Sequence, residues 1–124
     1  MIWLWVAVAG GLGAVLRFLV DDLLAARASE RSGARLPAGS LTVNLTGSLL
    51  AGAVAAAAIR GWTGDELHMI VAGGFLGAYT TFSTAVFEAV RYLDRGERIP
   101  AVAHLLVSTI GSIAAAGLGF WLVS

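Results

Sequence analysis

Four long apolar stretches dominate this chain and leave only short connections between them. They cover residues of about 3–25, 40–59, 67–92 and 101–123. Each has the roughly 20 mostly apolar residues that an α-helix needs to cross a bilayer. Charged side chains make up only 13% of the 124 residues, about half the share of a soluble domain. The sequence therefore predicts an all-α membrane protein with four transmembrane helices in one domain, residues 1–124.

The composition also excludes several classes of function. The net charge is zero and no basic face is visible, so no nucleic-acid partner is expected. Cysteine is absent, which removes disulfides and thiolate metal sites. The spans show no nucleophile–base pair and no metal cluster, so an enzyme is not expected. The first apolar run lacks a cationic start and continues past its small residues, and we expect it to be a retained span.

The two ends of the spans differ in charge. Six arginines lie on the side of the first and third loops: Arg27, Arg31, Arg35, Arg91, Arg95 and Arg98. Arg60 alone lies on the other side, together with Trp3, Trp5, Trp62 and Trp121. The positive-inside rule then predicts a plasma-membrane protein with cytoplasmic first and third loops and both termini outside.

The third apolar stretch contains helix-weakening and hydroxyl residues near its middle, in GGFLGAYTTFST (residues 73–84). Its glycines relax the helix, and its threonines can bond freed backbone groups, so we predict a break near residue 80. Broken helices occur at membrane depth only where they are buried or face a cavity, and freed carbonyls coordinate cations. The positive edge of the Phe82 ring offers contact to a small anion.

Thr63 and Glu66 have the spacing of a capping box, which predicts the start of the third helix.

Polar residues inside the first and second spans are candidates with two interpretations each. Arg17 is either an anion-attracting vestibule charge or an arginine that extends to the polar interface. Asn44 shares a helix face with Ser40 and Ser48. It is either an amide donor that lines an ion path or a polar contact that holds helices together.

The fourth span carries His104, Ser108 and Ser112 at intervals of four. The serines either line a pore or bond back to their own helix. His104 has no second ligand at metal-binding spacing, so we interpret it as an interfacial histidine. Glu88 is interpreted as an interfacial carboxylate.

Three segments together resemble the motifs of the Fluc/CrcB family of fluoride channels. They are GGFLGAYTTFST, GGLGAVLRF (residues 10–18) and GSLTVNLTGS (residues 39–48), in the order of that family. The resemblance implies an antiparallel dimer with two narrow fluoride pores that let fluoride leave the cytoplasm passively. It also implies a structural, untransported Na⁺ at the dimer centre.

The resemblance also implies roles for individual residues. The sodium ion would be held by the backbone carbonyls of Gly77 and Thr80. Arg17 would be the vestibule charge. The fluoride path would comprise Asn44, Phe82, Ser83, Thr84, Ser108 and Ser112.

One position departs from the family pattern, because Ala85 replaces the second phenylalanine of TTFSTF. A homodimer would then lack the second ring in both pores. An antiparallel homodimer also requires balanced loops, whereas this chain is strongly biased. We therefore hypothesise a heterodimer with a homologous subunit of opposite bias; a homodimer in which Ala85 is tolerated is the alternative.

Two other functions remain open at this stage. Ala85 is compatible with a non-conducting or half-functional subunit that supports a conducting partner. A small drug/proton antiporter also has four spans, but it requires a membrane carboxylate. The first span here has none at its centre, and a cationic substrate would lie poorly beside Arg17.

Overall fold

The computed structural model describes the backbone of residues 1–32 and 37–124 and the side chains of residues 1–28 and 37–124. The described residues form helices and turns without strands. The α-helices are α1 (Ile2–Ser32), α2 (Ala38–Ile59), α3 (Asp65–His68), α4 (Gly77–Tyr79), α5 (Phe82–Asp94) and α6 (Arg98–Val123), and a π-helix (Met69–Leu76) joins α3 to α4. Of the first-loop arginines, Arg35 and the side chain of Arg31 lie outside the described residues.

Four helical runs are long and apolar enough to cross a membrane. They are Ile2–Ala28, Ala38–Ile59, Asp65–Asp94 and Arg98–Val123. The four predicted spans are therefore confirmed, with ends that differ by a few residues.

Small residues bring α2 and α6 into close contact. A Cβ atom at Gly52 would overlap the carbonyl oxygen of Ala116, and one at Gly119 would overlap that of Leu49. Glycine is therefore required on both helices, as expected where membrane helices associate through close backbone packing.

Glycines also bring α1 against the third span. A Cβ atom at Gly10 would lie 3.6 Å from the carbonyl oxygen of Gly74, and one at Gly13 would overlap that of Phe75. Since both numbers increase together, the two segments run side by side in the same direction. Arg17, one turn beyond Gly13, therefore lies near the level at which α4 ends.

The third span breaks between α4 and α5, where the sequence predicts a break. Thr80 has φ −79° and ψ 156°, and Thr81 has φ −150° and ψ 122°. Both residues are extended, so the helical hydrogen bonds stop. The side chain of Thr81 then accepts a bond from the Thr84 N–H and caps α5, which lets a helix restart within the apolar region.

The capping box predicted at the start of this span is wrong. The residue that precedes α3 is Gly64, and no side chain caps the helix. The hydroxyl of Thr63 is buried without a hydrogen-bond partner among the described residues. Because the helix begins at Asp65, Glu66 is its second residue, one position too early to bond back to a capping threonine.

Candidate functional site: a polar groove at the helix break

A polar groove lies where the break in the third span meets α2 and α6. Its volume is about 270 Å³, and it is lined by Asn44, Ser48, Thr80, Thr81, Phe82, Ser108, Thr109, Ser112 and Ile113. Phe82 is 70% exposed, so one wall of the groove is open on the surface of the subunit. The structure thus brings Asn44, Phe82, Ser108 and Ser112 together, as the resemblance implies.

Asn44 holds the break in place from α2. Its Nδ2 donates to the carbonyl oxygen of Thr81, and its Oδ1 accepts from the Thr81 N–H, both at 2.7 Å. Its Nδ2 also lies 3.3 Å from the Ser108 hydroxyl of α6. The single side chain therefore connects α2, the break and α6.

The hydroxyl residues of the TTFST segment occupy different places. Thr81 donates to the Thr84 hydroxyl at 3.0 Å and lies 3.2 Å from that of Ser83. Ser83 is exposed, and Thr84 lines a second cavity instead of the groove. Thr81 and Thr109 are lining residues that the sequence reasoning did not select. The adjacent threonines 80 and 81 are the sequence feature that could have indicated Thr81. Only the structure of the break shows that Thr81 is the buried one of the two.

Backbone carbonyls at the break have the chemistry of a cation site. The Thr81 N–H bonds to Asn44 and not to the Gly77 carbonyl. The Thr84 N–H bonds to the Thr81 side chain and not to the Thr80 carbonyl. Both carbonyls therefore lack their usual helical donors, and Gly77 is exposed. Uncharged oxygens of this kind suit a hard monovalent cation, so the donor set fits the implied sodium ion.

Arg17 is only partly buried. Within the described part of the chain no carboxylate pairs with it. Near the level of the break, Arg17 therefore carries a positive charge that is unpaired among the described residues.

A second cavity lies toward the arginine-rich end of the spans. Its volume is about 200 Å³, and its lining includes Asp21, Thr84, Phe87, Glu88 and Arg91. The Thr81–Thr84 hydroxyl contact of 3.0 Å joins the lining of the groove to that of this cavity.

A buried cluster that sequence reasoning missed borders the second cavity. The Ser40 hydroxyl donates to Glu88 Oε2, and the same oxygen lies 3.2 Å from His104 Nε2. That contact is too poorly aligned for a hydrogen bond. The sequence alone predicts interfacial positions for His104 and Glu88. Their side chains are only 5% and 17% exposed, and only the packing of α5 on α6 brings them together.

Ala85 is fully buried within the subunit. It and Ala89 are the two buried residues of α5. They lie four positions apart on one helix face, and α5 packs mainly against α6. Position 85 is therefore occupied by close packing rather than by an open space next to the groove.

The fold and groove together define a four-span membrane protein with a polar groove at the depth of its apolar region. Residues 4–120 match the family model described as CrcB-like protein, Camphor Resistance (CrcB). The chain belongs to this family, and the names of its relatives indicate an ion channel rather than an enzyme.

Three curated relatives match almost the whole chain. "Fluoride-specific ion channel FluC 2" of Mycobacterium tuberculosis (strain ATCC 25618 / H37Rv) is 40% identical, over 98% of this chain and 90% of the relative. "Fluoride-specific ion channel FluC 1" of Leifsonia xyli subsp. xyli is 40% identical, over 98% and 86%. "Fluoride-specific ion channel FluC 2" of Cutibacterium acnes is 42% identical, over 100% and 98%.

Proposed function

We propose that this chain is a subunit of a fluoride-selective channel through which fluoride leaves the cytoplasm passively. The observation that carries the proposal is the groove itself, in which an exposed phenyl ring lies among hydroxyl groups at membrane depth. Relatives of about 40% identity over nearly the whole chain are named fluoride-specific ion channels, and they supply the identity of the ion.

The lining chemistry suits a small anion that must pass rather than remain bound. Hydroxyl groups donate hydrogen bonds without a formal charge, and the edge of the Phe82 ring carries a partial positive charge. The residues of the groove include neither a carboxylate nor a cation. Conduction requires binding that is favourable enough for entry and weak enough for release, and this donor set meets that condition.

A second subunit would complete the path. The groove is open along the side that exposes Phe82, and an ion path across a membrane must be enclosed. The exposed face of the third span also presents Gly77, whose carbonyl lacks its helical donor. An antiparallel partner, related by a two-fold axis through this face, would close the groove and double the set of carbonyls. Gly77 and Thr80 would then hold a structural Na⁺, which supplies a fixed positive charge at the junction.

The arginine bias supports a homologous partner that inserts in the opposite orientation. Arg91, Arg95 and Arg98 lie near one end of the spans, and Arg60 lies at the other. This bias favours one insertion, with the first and third loops cytoplasmic and the termini outside. We infer that the partner carries the opposite bias.

The chain contains no cysteine, so its orientation is measurable with single cysteines and a membrane-impermeant thiol reagent. Ser124→Cys marks the terminal side, and Ile99→Cys marks the side of the third loop. Labelling of intact cells at the first position alone supports a fixed orientation. Equal labelling at both would overturn the heterodimer and favour a homodimer.

Fluoride release from liposomes tests the function itself. The protein is reconstituted alone and together with a homologous subunit of opposite bias, and a fluoride electrode follows release, with chloride as the comparison. Fluoride release without chloride release is expected in at least one sample. If only the mixed sample conducts, the channel requires the heterodimer. The absence of fluoride-selective release from both samples would overturn the proposal.

A further inference from the structure

The carboxamide of Asn44 has no free hydrogen-bond donor. It carries two N–H groups; one donates to the Thr81 carbonyl at 2.7 Å, and the other faces the Ser108 hydroxyl at 3.3 Å. Its oxygen accepts from the Thr81 N–H. Asn44 is also only 6% exposed. An anion in the groove would therefore have to break an existing bond to receive a proton from this side chain.

The orientation of the carboxamide is fixed by its partners. A backbone N–H only donates and a backbone carbonyl only accepts. Thr81 therefore requires the Asn44 oxygen on one side and the nitrogen on the other. The Asn44 oxygen replaces the helical bond that the Thr81 N–H loses where α4 ends, at a depth where no water is present to satisfy it. The Asn44 nitrogen adds a second bond to the Thr81 carbonyl, which as the N-cap of α5 also accepts the first bond of that helix.

This arrangement affects the carbonyls on the exposed face. In a continuous helix the Thr81 N–H would donate to the Gly77 carbonyl. Because that N–H is engaged by Asn44, the Gly77 oxygen keeps both lone pairs for another ligand. The Gly77 carbonyl, one of the two proposed to hold sodium, is thus available only while the contact between Asn44 and Thr81 persists.

The third contact affects the groove. Ser108 Oγ receives a proton from Asn44, and its own O–H makes no other hydrogen bond within the described residues. Ser108 lines the groove, so its hydroxyl hydrogen is free to point at an ion there. The bond from Asn44 thereby selects the donor orientation of this hydroxyl.

We propose that Asn44 is a positioning residue that couples the cation-binding carbonyls to the anion groove, and that it does not itself donate to fluoride. This inference rests on the proposed channel function. It predicts that one side chain controls two properties, the affinity for sodium and the flux of fluoride.

The test compares Asn44→Asp with Ser112→Ala, a groove hydroxyl that does not bond to the break. Aspartate has no donor for the Thr81 carbonyl or Ser108, and its negative charge repels the Thr81 carbonyl oxygen, so the two-bond contact with Thr81 is lost although an acceptor remains. Three quantities are measured on the reconstituted channel: fluoride efflux, the Na⁺ concentration that half-maximally raises Tm with K⁺ replacing Na⁺, and hydrogen exchange in the peptide that contains Thr81.

A positioning role predicts that Asn44→Asp weakens the sodium midpoint at least about tenfold, accelerates exchange at the break and reduces efflux. Ser112→Ala should reduce efflux only. If Asn44→Asp reduces efflux while the sodium midpoint and exchange remain unchanged, Asn44 is an anion ligand and the inference is overturned.

Ser108→Ala serves if Asn44→Asp fails to fold. This variant leaves both bonds to Thr81 intact, so efflux should fall while the sodium midpoint and exchange stay unchanged. Unchanged efflux would contradict the role assigned to the Ser108 hydroxyl. Failure of the proposed function is distinguishable, because the unmodified protein would then release no fluoride. Hydrogen exchange at Thr81 reports on the contact between Asn44 and Thr81 whether or not fluoride flows.

Discussion

Gly47 lies directly against the ring of Tyr79, where a Cβ atom would be 3.0 Å from Tyr79 Cδ1 and would overlap the methyl group of Thr80. Gly47 is three positions after Asn44 on α2. The α2 helix therefore supplies the Asn44 amide that bonds to Thr81. One turn further, the missing side chain of Gly47 leaves the space in which Tyr79 and Thr80 pack.

We predict that Gly47→Ala destabilises the protein by about 1–3 kcal/mol, the usual cost of overpacking a tight contact. The added methyl group must push Thr80 away from α2 and so strain the bonds between Asn44 and Thr81. Unfolding in increasing denaturing detergent measures the change. Gly117→Ala is the matched control, since nothing lies within 4 Å of its added Cβ. Equal stability of the two variants would contradict the close fit at the break.

Restoring the family phenylalanine should not improve this subunit. Ala85 is fully buried, so Ala85→Phe forces α5 away from the helices packed against it at a cost of about 1–3 kcal/mol or more. The half-exposed neighbour Val86, changed to phenylalanine, controls for the added ring. Thermal unfolding and fluoride efflux are measured for both variants, and the Ala85 variant should be the less stable and should show no faster efflux. A stable Ala85→Phe protein with faster efflux would show instead that the chain lacks a pore ring.

The contributions of Glu88 and His104 to the stability of the protein should be coupled. Replacing His104 by leucine removes the 3.2 Å contact with Glu88, while the Ser40 hydroxyl still donates to the same oxygen, and we expect a loss of about 0.5–3 kcal/mol. Glu88→Gln keeps an acceptor for Ser40 but removes the charge. In a double-mutant cycle on stability, the paired change should cost at least about 0.5 kcal/mol less than the sum of the single changes. Strict additivity would show that the two side chains do not interact.

The sequence was sufficient for the spans and the break because both follow from local chemistry. Apolar length alone predicts the four spans, and the glycines and threonines around residue 80 predict where the third helix stops. The start of that helix was mispredicted at Thr63, since a single-residue shift in the helix start removes the capping geometry. Antiparallel pairing and the roles of the site residues stay predictions.

Other features depend on how the helices pack and leave no local pattern. Ser40, Glu88 and His104 lie on three different helices, so no spacing along the chain indicates that they meet. The family resemblance implies a place for Thr84 on the fluoride path together with Phe82. The turn of α5 carries it to the second cavity instead. The burial of Ala85 likewise depends on how α5 packs against other helices, which the residues around position 85 do not indicate.

The most direct test of the channel account compares Phe82→Ile with Phe87→Ile in fluoride efflux from liposomes. Both rings are largely exposed in the subunit, at 70% and 62%, but only Phe82 lines the groove. Isoleucine preserves apolar bulk and removes the positive ring edge. The account predicts that Phe82→Ile abolishes fluoride release and that Phe87→Ile retains it. Undiminished release from Phe82→Ile would show that the groove is not the fluoride path.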